Sequence, residues 1–256
     1  MKLKIVSINL WHGGQLLDEI IEFLKTQKAD VVVMQEAFNA TDPSVDRQYH
    51  SMEILAEELG YEYSDFVADY RDFDRTDGKA QRGNGILSKY PIVGRDAKFF
   101  VRPYTEEYRD VEGQFPDCPR DLQHVVLETP AGEVNVFNIQ GVWDLDGDSY
   151  SDRRRHMAEV VIEAVKDKQN VIVAGDTNAK QTNQAILDIE QHLVSVFKRD
   201  MTTTFNMRHK DNPGYATAAV DAVFIDRGMK VIEKQCPDVD VSDHLPLSVT
   251  VDIPSN

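Results

Sequence analysis

The stretch VIVAGDTN, residues 171–178, decides the fold. Val171 to Ala174 run without a polar interruption, which reads as a strand buried on both faces. Gly175 lets the backbone turn, and Asp176, Thr177 and Asn178 follow at the strand's C-terminal end. A carboxylate and a carboxamide set two positions apart at a rigid strand tip share one small polar site. The carboxylate holds a metal or accepts a proton, and the amide donates to a phosphate oxygen. The competing reading is a plain strand-to-helix turn, in which Asp176 or Asn178 caps a helix near 182–191. The residues that end the other apolar runs separate the two readings.

Outward from this strand the pattern is layered α/β. Before it, residues 152–168 place Met157, Val160, Val161, Ala164 and Val165 on one helical face, with Ser151 or Asp152 as cap. At the start of the chain, Lys4–Leu10 reads as a strand that ends in a Gly13-Gly14 turn. Residues 15–27 follow as an amphipathic helix, and Val31–Met34 as a second buried strand. Further helical and extended runs are expected at His50–Leu59, Tyr61–Val67 and Asn84–Ser88. Leu122–Glu128 and Glu133–Ile139 form a hairpin around Thr129–Gly132, so the sheet cannot be purely parallel. Residues 68–83, 102–119 and Gln140–Tyr150 are polar and aperiodic and read as loops; the first is longer than most in compact domains.

Composition narrows the classes. The chain has 256 residues, 41% of them apolar, with no linker-like or low-complexity tract, and one domain over 1–256 is expected. With 28 Lys and Arg against 44 Asp and Glu the formal charge is -16. That balance opposes tight non-specific binding to duplex DNA, which needs many Lys and Arg on phosphates. Cys118 and Cys236 make neither a disulfide framework nor a zinc site and read as reduced thiols. No stretch approaches membrane-spanning length, nothing points to an obligate protein partner, and the expected location is cytoplasmic.

Polar residues recur at the ends of the apolar runs: Asn9 after IVSI, Glu36 after VVVM, Asp176 and Asn178 after VIVA, and Asp243-His244 before LPLSV. Ligands of open α/β sheets gather beyond strand ends. Asp221 lies inside AAVDAVFI; a buried carboxylate needs a partner, and His244 is the candidate. A histidine held beside carboxylates stays cationic and stabilises charge on a transferring phosphoryl group.

In this order the segments SINLW (7–11), MQEAF (34–38), GNGILSKYPI (83–92), FNIQG (137–141), AGDTN (174–178), VDAVF (220–224) and SDHLP (242–246) resemble the endonuclease/exonuclease/phosphatase superfamily, the group with the DNase I-like fold. The match runs through nearly the whole chain. The resemblance implies a four-layer α/β/β/α sandwich, two mixed β-sheets packed face to face with helices outside. It also implies a divalent-metal phosphohydrolase site. Glu36 would be the principal metal ligand, Asn9 would help hold the metal or its waters, and Asp243 would add a carboxylate. Asp176 would orient or deprotonate the attacking water, Asn178 would bind phosphate, and His244, oriented by Asp221, would contact a phosphate oxygen. The expected metal is Mg²⁺, with Mn²⁺ as the substitute, since a hard cation takes oxygen ligands.

The chain departs from the family at Gln140, where the family commonly has His or Tyr touching the scissile phosphate. Gln donates a hydrogen bond but is never cationic, and nothing in the sequence selects a replacement from His12, His124 or Tyr104. Trp143, in the same loop, is a candidate to stack on substrate. Of Arg153, Arg154 and Arg155, one is expected to brace the strand tips and two to face solvent. Lys79 and Arg82 are candidates for the cleft rim, while His12 reads as a turn residue and Arg208–Lys210 as a solvated turn. The expected activity is a phosphodiesterase acting on a phosphate ester by in-line attack of water. The rivals are a DNA repair nuclease or tyrosyl-DNA phosphodiesterase-like enzyme, and a non-catalytic phospho-ligand or partner-binding module.

Overall fold

In the computed structural model, which describes residues 1–111, 115–144 and 149–254, strands and helices interleave from the first residues. They run β1 (Lys2–Asn9), α1 (Leu17–Gln27), β2 (Val31–Ala40), α2 (Ser51–Leu59), β3 (Tyr63–Asp72), α3 (Phe73–Thr76), β4 (Ala80–Ser88) and β5 (Ile92–Phe99). Then come β6 (Asp121–Thr129), β7 (Gly132–Gln140), α4 (Asp152–Val165), β8 (Val171–Asp176), α5 (Gln184–Glu190), β9 (Val194–Ser195), β10 (Asp221–Ile225), β11 (Lys230–Gln235) and β12 (Leu247–Asp252). Parts of two stretches expected to be irregular, 112–114 and 145–148, lie outside the described residues.

The strands form two six-stranded sheets, ordered β11-β12-β1-β2-β4-β3 and β5-β6-β7-β8-β10-β9. Each contains a parallel pair, β1/β2 and β7/β8, among antiparallel neighbours. Strand alternation explains the unbroken apolar runs. In β1, Leu3 and Ile5 face the other sheet, while Val6 and Ile8 face α1 and α2. In β8, Ile172 and Ala174 meet the first sheet, and Val171 and Val173 meet α4 and α5. Both faces of these strands are therefore dry, at roughly 1.5–3 kcal/mol for each fully buried Val, Leu or Ile. The result is the expected sandwich with helices on both outer faces. Near the site a buried amide pair ties the sheets together: Gln35 Nε2 donates to Asn138 Oδ1 at 2.6 Å, and Asn138 Nδ2 donates to the Met34 and Gly85 carbonyls.

Residues 68–83 are not a loop. Strand β3 continues to Asp72, α3 is capped by the Asp72 carboxylate on the Arg75 N–H, and β4 begins at Ala80. Polarity misled because the charges neutralise one another: Arg82 Nη1 of β4 lies 3.3 Å from Asp69 of β3, and Arg75 Nη1 of α3 lies 3.0 Å from Asp72. A buried charge is tolerated when it is paired. Among the described residues, no helix is long and apolar enough to cross a membrane.

Register brings the polar strand ends together. Parallel β7 and β8 end side by side, with Gln140 opposite Asp176, and antiparallel β10 starts there, with Asp221 opposite Asp176. Antiparallel β6 also starts at this edge. In the other sheet β1 ends at Asn9, opposite Gln35. The β2–β4 register shifts between Met34 and Ala37, a bulge that holds Glu36 at φ +56°. Bulges re-aim side chains beside functional sites. Gly175 has φ +147°, and a Cβ there would stand 2.1 Å from the Ile139 carbonyl oxygen, so only glycine lets β7 and β8 meet this closely.

Candidate active site

The two strand edges face a cavity of about 340 Å³. Glu36, Asp176 and Asp243, from distant parts of the chain, all line it, together with Asn178, His244 and Trp143.

Glu36 sits among donors. His12 donates its backbone N–H at 3.0 Å and brings its ring Nδ1 to 3.2 Å, Asn9 Nδ2 donates at 3.2 Å, and Arg82 Nη2 pairs at 3.2 Å. Burial raises its pKa, but the Arg82 guanidinium and His12 outweigh that and hold the carboxyl well below the usual carboxylate range. Asn9 donates from the same Nδ2 to Asp176 at 3.2 Å and accepts from the Trp11 N–H through Oδ1 at 3.0 Å, so it bridges the two carboxylates.

On the other sheet, Asp176 accepts the Asn178 N–H at 2.9 Å. Burial, assisted by Asp221 and opposed by His244, pushes its pKa up to about 6. His244 Nδ1 lies 2.9 Å from Asp221 Oδ2, which leaves Nε2 as the ring nitrogen available to a ligand. Burial lowers the histidine's pKa, yet Asp221 and then Asp176 overcome it and raise the value to about 10, so the ring is a cation. Ligand atoms of Asp176, Asp221 and His244 lie within 4.8 Å of one another, a spacing compatible with a metal. A cationic imidazole has no free lone pair, however, so with His244 protonated its ring does not ligate a metal.

This charge state sets a pH dependence. Because the His244 pKa rises from 6.5 to about 10 on folding, its stabilisation is full below 6.5 and is lost as pH rises through about 10. Asp176, raised from 3.8 to about 6, completes its own change below that range. In metal-free protein, the difference in urea midpoint between wild type and His244→Gln is expected to shrink steadily from pH 7 to pH 10. A difference that stays constant across this range contradicts the cationic assignment.

Asn178 has φ +50°, lines the cavity and donates Nδ2 to the Gly141 carbonyl at 3.1 Å. Its own carbonyl accepts from Arg154 Nη2 at 2.6 Å. Arg154 is wholly buried and Arg153 and Arg155 pair at the surface with Asp117 and Asp152. Trp143 packs edge-on against Phe115 at the cavity wall.

Other expectations change. Gln140 is fully buried and absent from the cavity wall, with Nε2 3.4 Å from Glu36, so it stands behind Glu36. His12 contacts Glu36 and lines the cavity. Lys210 also lines the cavity, 2.5 Å from Asp243, while Lys79 turns away toward Asp42 and Ser44. His124 stacks on Phe137 beside a different cavity, and Tyr104 bonds Gln81 and Glu106. Sequence reasoning missed Arg75, Arg120, Phe205 and Tyr215, which also line the site; no periodicity or motif marks them. Cys118 and Cys236 are free thiols.

The chain is similar in structure to an endonuclease/exonuclease/phosphatase from Beutenbergia cavernae, at 20% identity over 98% of this chain and 72% of that one, with a TM-score of 0.75. It is also similar to a mannosyl-6-phosphatase from Bacteroides thetaiotaomicron, at 19% identity over 98% of this chain and all (100%) of that one, with a TM-score of 0.70. The human Nocturnin catalytic domain with bound sulfate is similar at 14% identity over 99% of this chain and 95% of that one, with a TM-score of 0.68. No curated protein matches the chain. At these identities the structural likeness speaks to the fold. The sequence match reaches further: the model of the Endonuclease/Exonuclease/phosphatase family aligns with residues 6–244, from inside β1 to His244, and to that family this chain belongs.

Proposed function

We propose that this chain is a divalent-metal-dependent phosphoester hydrolase in which a water attacks phosphorus in line with the leaving oxygen, with Mg²⁺ as the metal and Mn²⁺ as its substitute. Enzymes of the family are metal-dependent phosphoester hydrolases. The observation that carries the reading is the meeting of Glu36, Asp176 and Asp243 around the cavity that His244 also lines.

The donor chemistry fits a hard cation. Glu36 and Asp243 offer carboxylate oxygens, the ligands Mg²⁺ takes, whereas zinc prefers Cys and His sets. Lys210, which pairs with Asp243, is a flexible side chain able to yield that oxygen. Glu36 and Asp243 would hold the metal with Asn9 steadying Glu36, and the bound metal would neutralise phosphate charge and polarise the ester.

The remaining steps belong to the chain's own residues. Asp176, pushed up to about 6, is ionised at neutral pH yet basic enough to orient the water and take its proton. His244 donates through Nε2 to a phosphoryl oxygen, its cation facing the charge that spreads over those oxygens in the transition state. Asp221 fixes the ring, and Asn178 adds its second amide hydrogen. Gln140 supports Glu36 from behind, and Trp143 with Phe115 offers an aromatic wall to the leaving group. None of these residues by itself separates phosphate monoesters from diesters; the phosphodiesterase reading is the diester branch.

The test is hydrolysis of p-nitrophenyl phosphate and bis-p-nitrophenyl phosphate with Mg²⁺ or Mn²⁺. Turnover of at least one ester, abolished by EDTA and restored by added metal, is the expected result. Absence of turnover with either metal, or turnover indifferent to EDTA, overturns the reading.

A further inference from the structure

The cations around the cavity are matched with carboxylates, with one exception. Arg82 has Glu36 and Asp69, Arg75 has Asp72 and Asp110, Lys210 has Asp243, and His244 has Asp221. Arg120 also lines the cavity and is only 8% exposed. Among the described residues its Nε and Nη1 have no hydrogen-bond partner, and no carboxylate comes within ion-pair distance. Asp69, Asp121, Glu36 and Asp176 act on its charge through space, but buried N–H groups left without an acceptor are still costly. Such a group in a cavity wall is a ready receptor for an anion.

Its place in the fold says which anion. Arg120 immediately precedes β6, which starts at the sheet edge where β7 ends, so it stands just before the strand that neighbours Gln140. It is close enough to Glu36 and Asp176 for charge interaction with both. An oxygen held by Arg120 therefore belongs to the scissile phosphoryl group or an immediate neighbour. On the hydrolase reading, a diester's two non-bridging oxygens would go to the metal held by Glu36 and Asp243 and to His244 with Asn178. A monoester has a third, and above about pH 6 a second negative charge.

We propose that Arg120 takes this third oxygen and makes the site selective for terminal phosphomonoesters over phosphodiesters. The inference rests on the hydrolase reading for its biological meaning, but binding tests it separately from turnover. A second ester arm directed at Arg120 would leave the guanidinium both dry and unpaired, which disfavours diesters at this wall.

The probes are inorganic phosphate and dimethyl phosphate, titrated by calorimetry against wild type, Arg120→Gln and Arg120→Lys in Mg²⁺ and again in EDTA. Wild type is expected to bind inorganic phosphate at least tenfold more tightly than dimethyl phosphate at pH 8. Arg120→Gln is expected to lose about 10- to 100-fold in phosphate affinity, the range for removing a hydrogen bond to a charged group. Arg120→Lys, which keeps the charge without the planar fork, should recover part of that loss. In turnover, the ratio of kcat/KM for p-nitrophenyl phosphate over bis-p-nitrophenyl phosphate should fall in Arg120→Gln. If Arg120→Gln binds phosphate as wild type does, or if wild type prefers dimethyl phosphate, the assignment is overturned even when both esters are hydrolysed. Selective, Arg120-dependent phosphate binding without hydrolysis supports the assignment and removes only the hydrolase reading. The wild-type preference needs no variant, so a folding failure of Arg120→Gln does not shield the proposal.

Discussion

Asp176→Asn protein is expected to hydrolyse phosphoesters about 10³-fold more slowly than wild type, within the 10²–10⁴ range of a lost general base. Asn keeps the shape and still accepts the Asn178 N–H that now reaches Asp176 at 2.9 Å. It cannot take the proton of the attacking water. The ionised carboxyl is disfavoured by burial and Asp221 and favoured by His244; the neutral amide removes that balance but sets its NH2 against the Asn9 Nδ2 donor, so the variant should unfold close to the wild-type temperature. Stability without activity is the signature of a group kept for chemistry. Steady-state kinetics with a scanning calorimetry control checks both halves. Turnover within tenfold of wild type removes Asp176 from the role of base, and a large fall in Tm makes it a structural residue.

Glu36→Gln is expected to show the second large effect, a loss of roughly 10³-fold, since metal polarisation of the ester is worth several kcal/mol and each 1.36 kcal/mol is tenfold. Its signature differs from that of Asp176→Asn. Removing the ligand should raise the Mg²⁺ concentration needed for half-maximal rate, with part of the activity returning at high metal, whereas no metal concentration restores a missing base. The fold should survive. Arg82, which lies 3.2 Å from Glu36, keeps Asp69 at 3.3 Å, so the guanidinium is not orphaned and the ~3–5 kcal/mol penalty of an uncompensated buried charge is avoided. Metal titrations of kcat/KM decide the matter; unchanged metal dependence rules Glu36 out as a ligand.

Wild-type-like behaviour at both positions would leave the convergence of carboxylates as a feature of packing alone. The pair also separates the two sheets functionally, because Glu36 belongs to the bulge of β2 and Asp176 to the tip of β8. Neither sheet carries the site by itself.

Much of this arrangement was legible from residue order. Apolar runs such as VVVM and VIVA are strands because both their faces are dry, and their polar ends mark the edge where loops open. Asp221 could be matched with His244 before any coordinates because an acid among Ala, Val and Phe needs a partner. Periodicity failed at residues 68–83, where β3 and β4 carry paired charges inward and therefore look like a loop. It also failed at Lys210, which reads as part of a solvated turn yet closes on Asp243.

The order of residues along this chain was sufficient for the layered α/β architecture, the family and the acidic strand tips, because burial and strand alternation are local and leave a periodic trace. The three-dimensional packing alone decided which charges are matched. It set Gln140 behind Glu36, His12 against the same carboxylate, and Arg120 at the cavity with Nε and Nη1 unbonded among the described residues. Pairing depends on distances of 3–4 Å between side chains far apart in the chain, and such distances are created by sheet register and the β2 bulge rather than by any neighbouring residue.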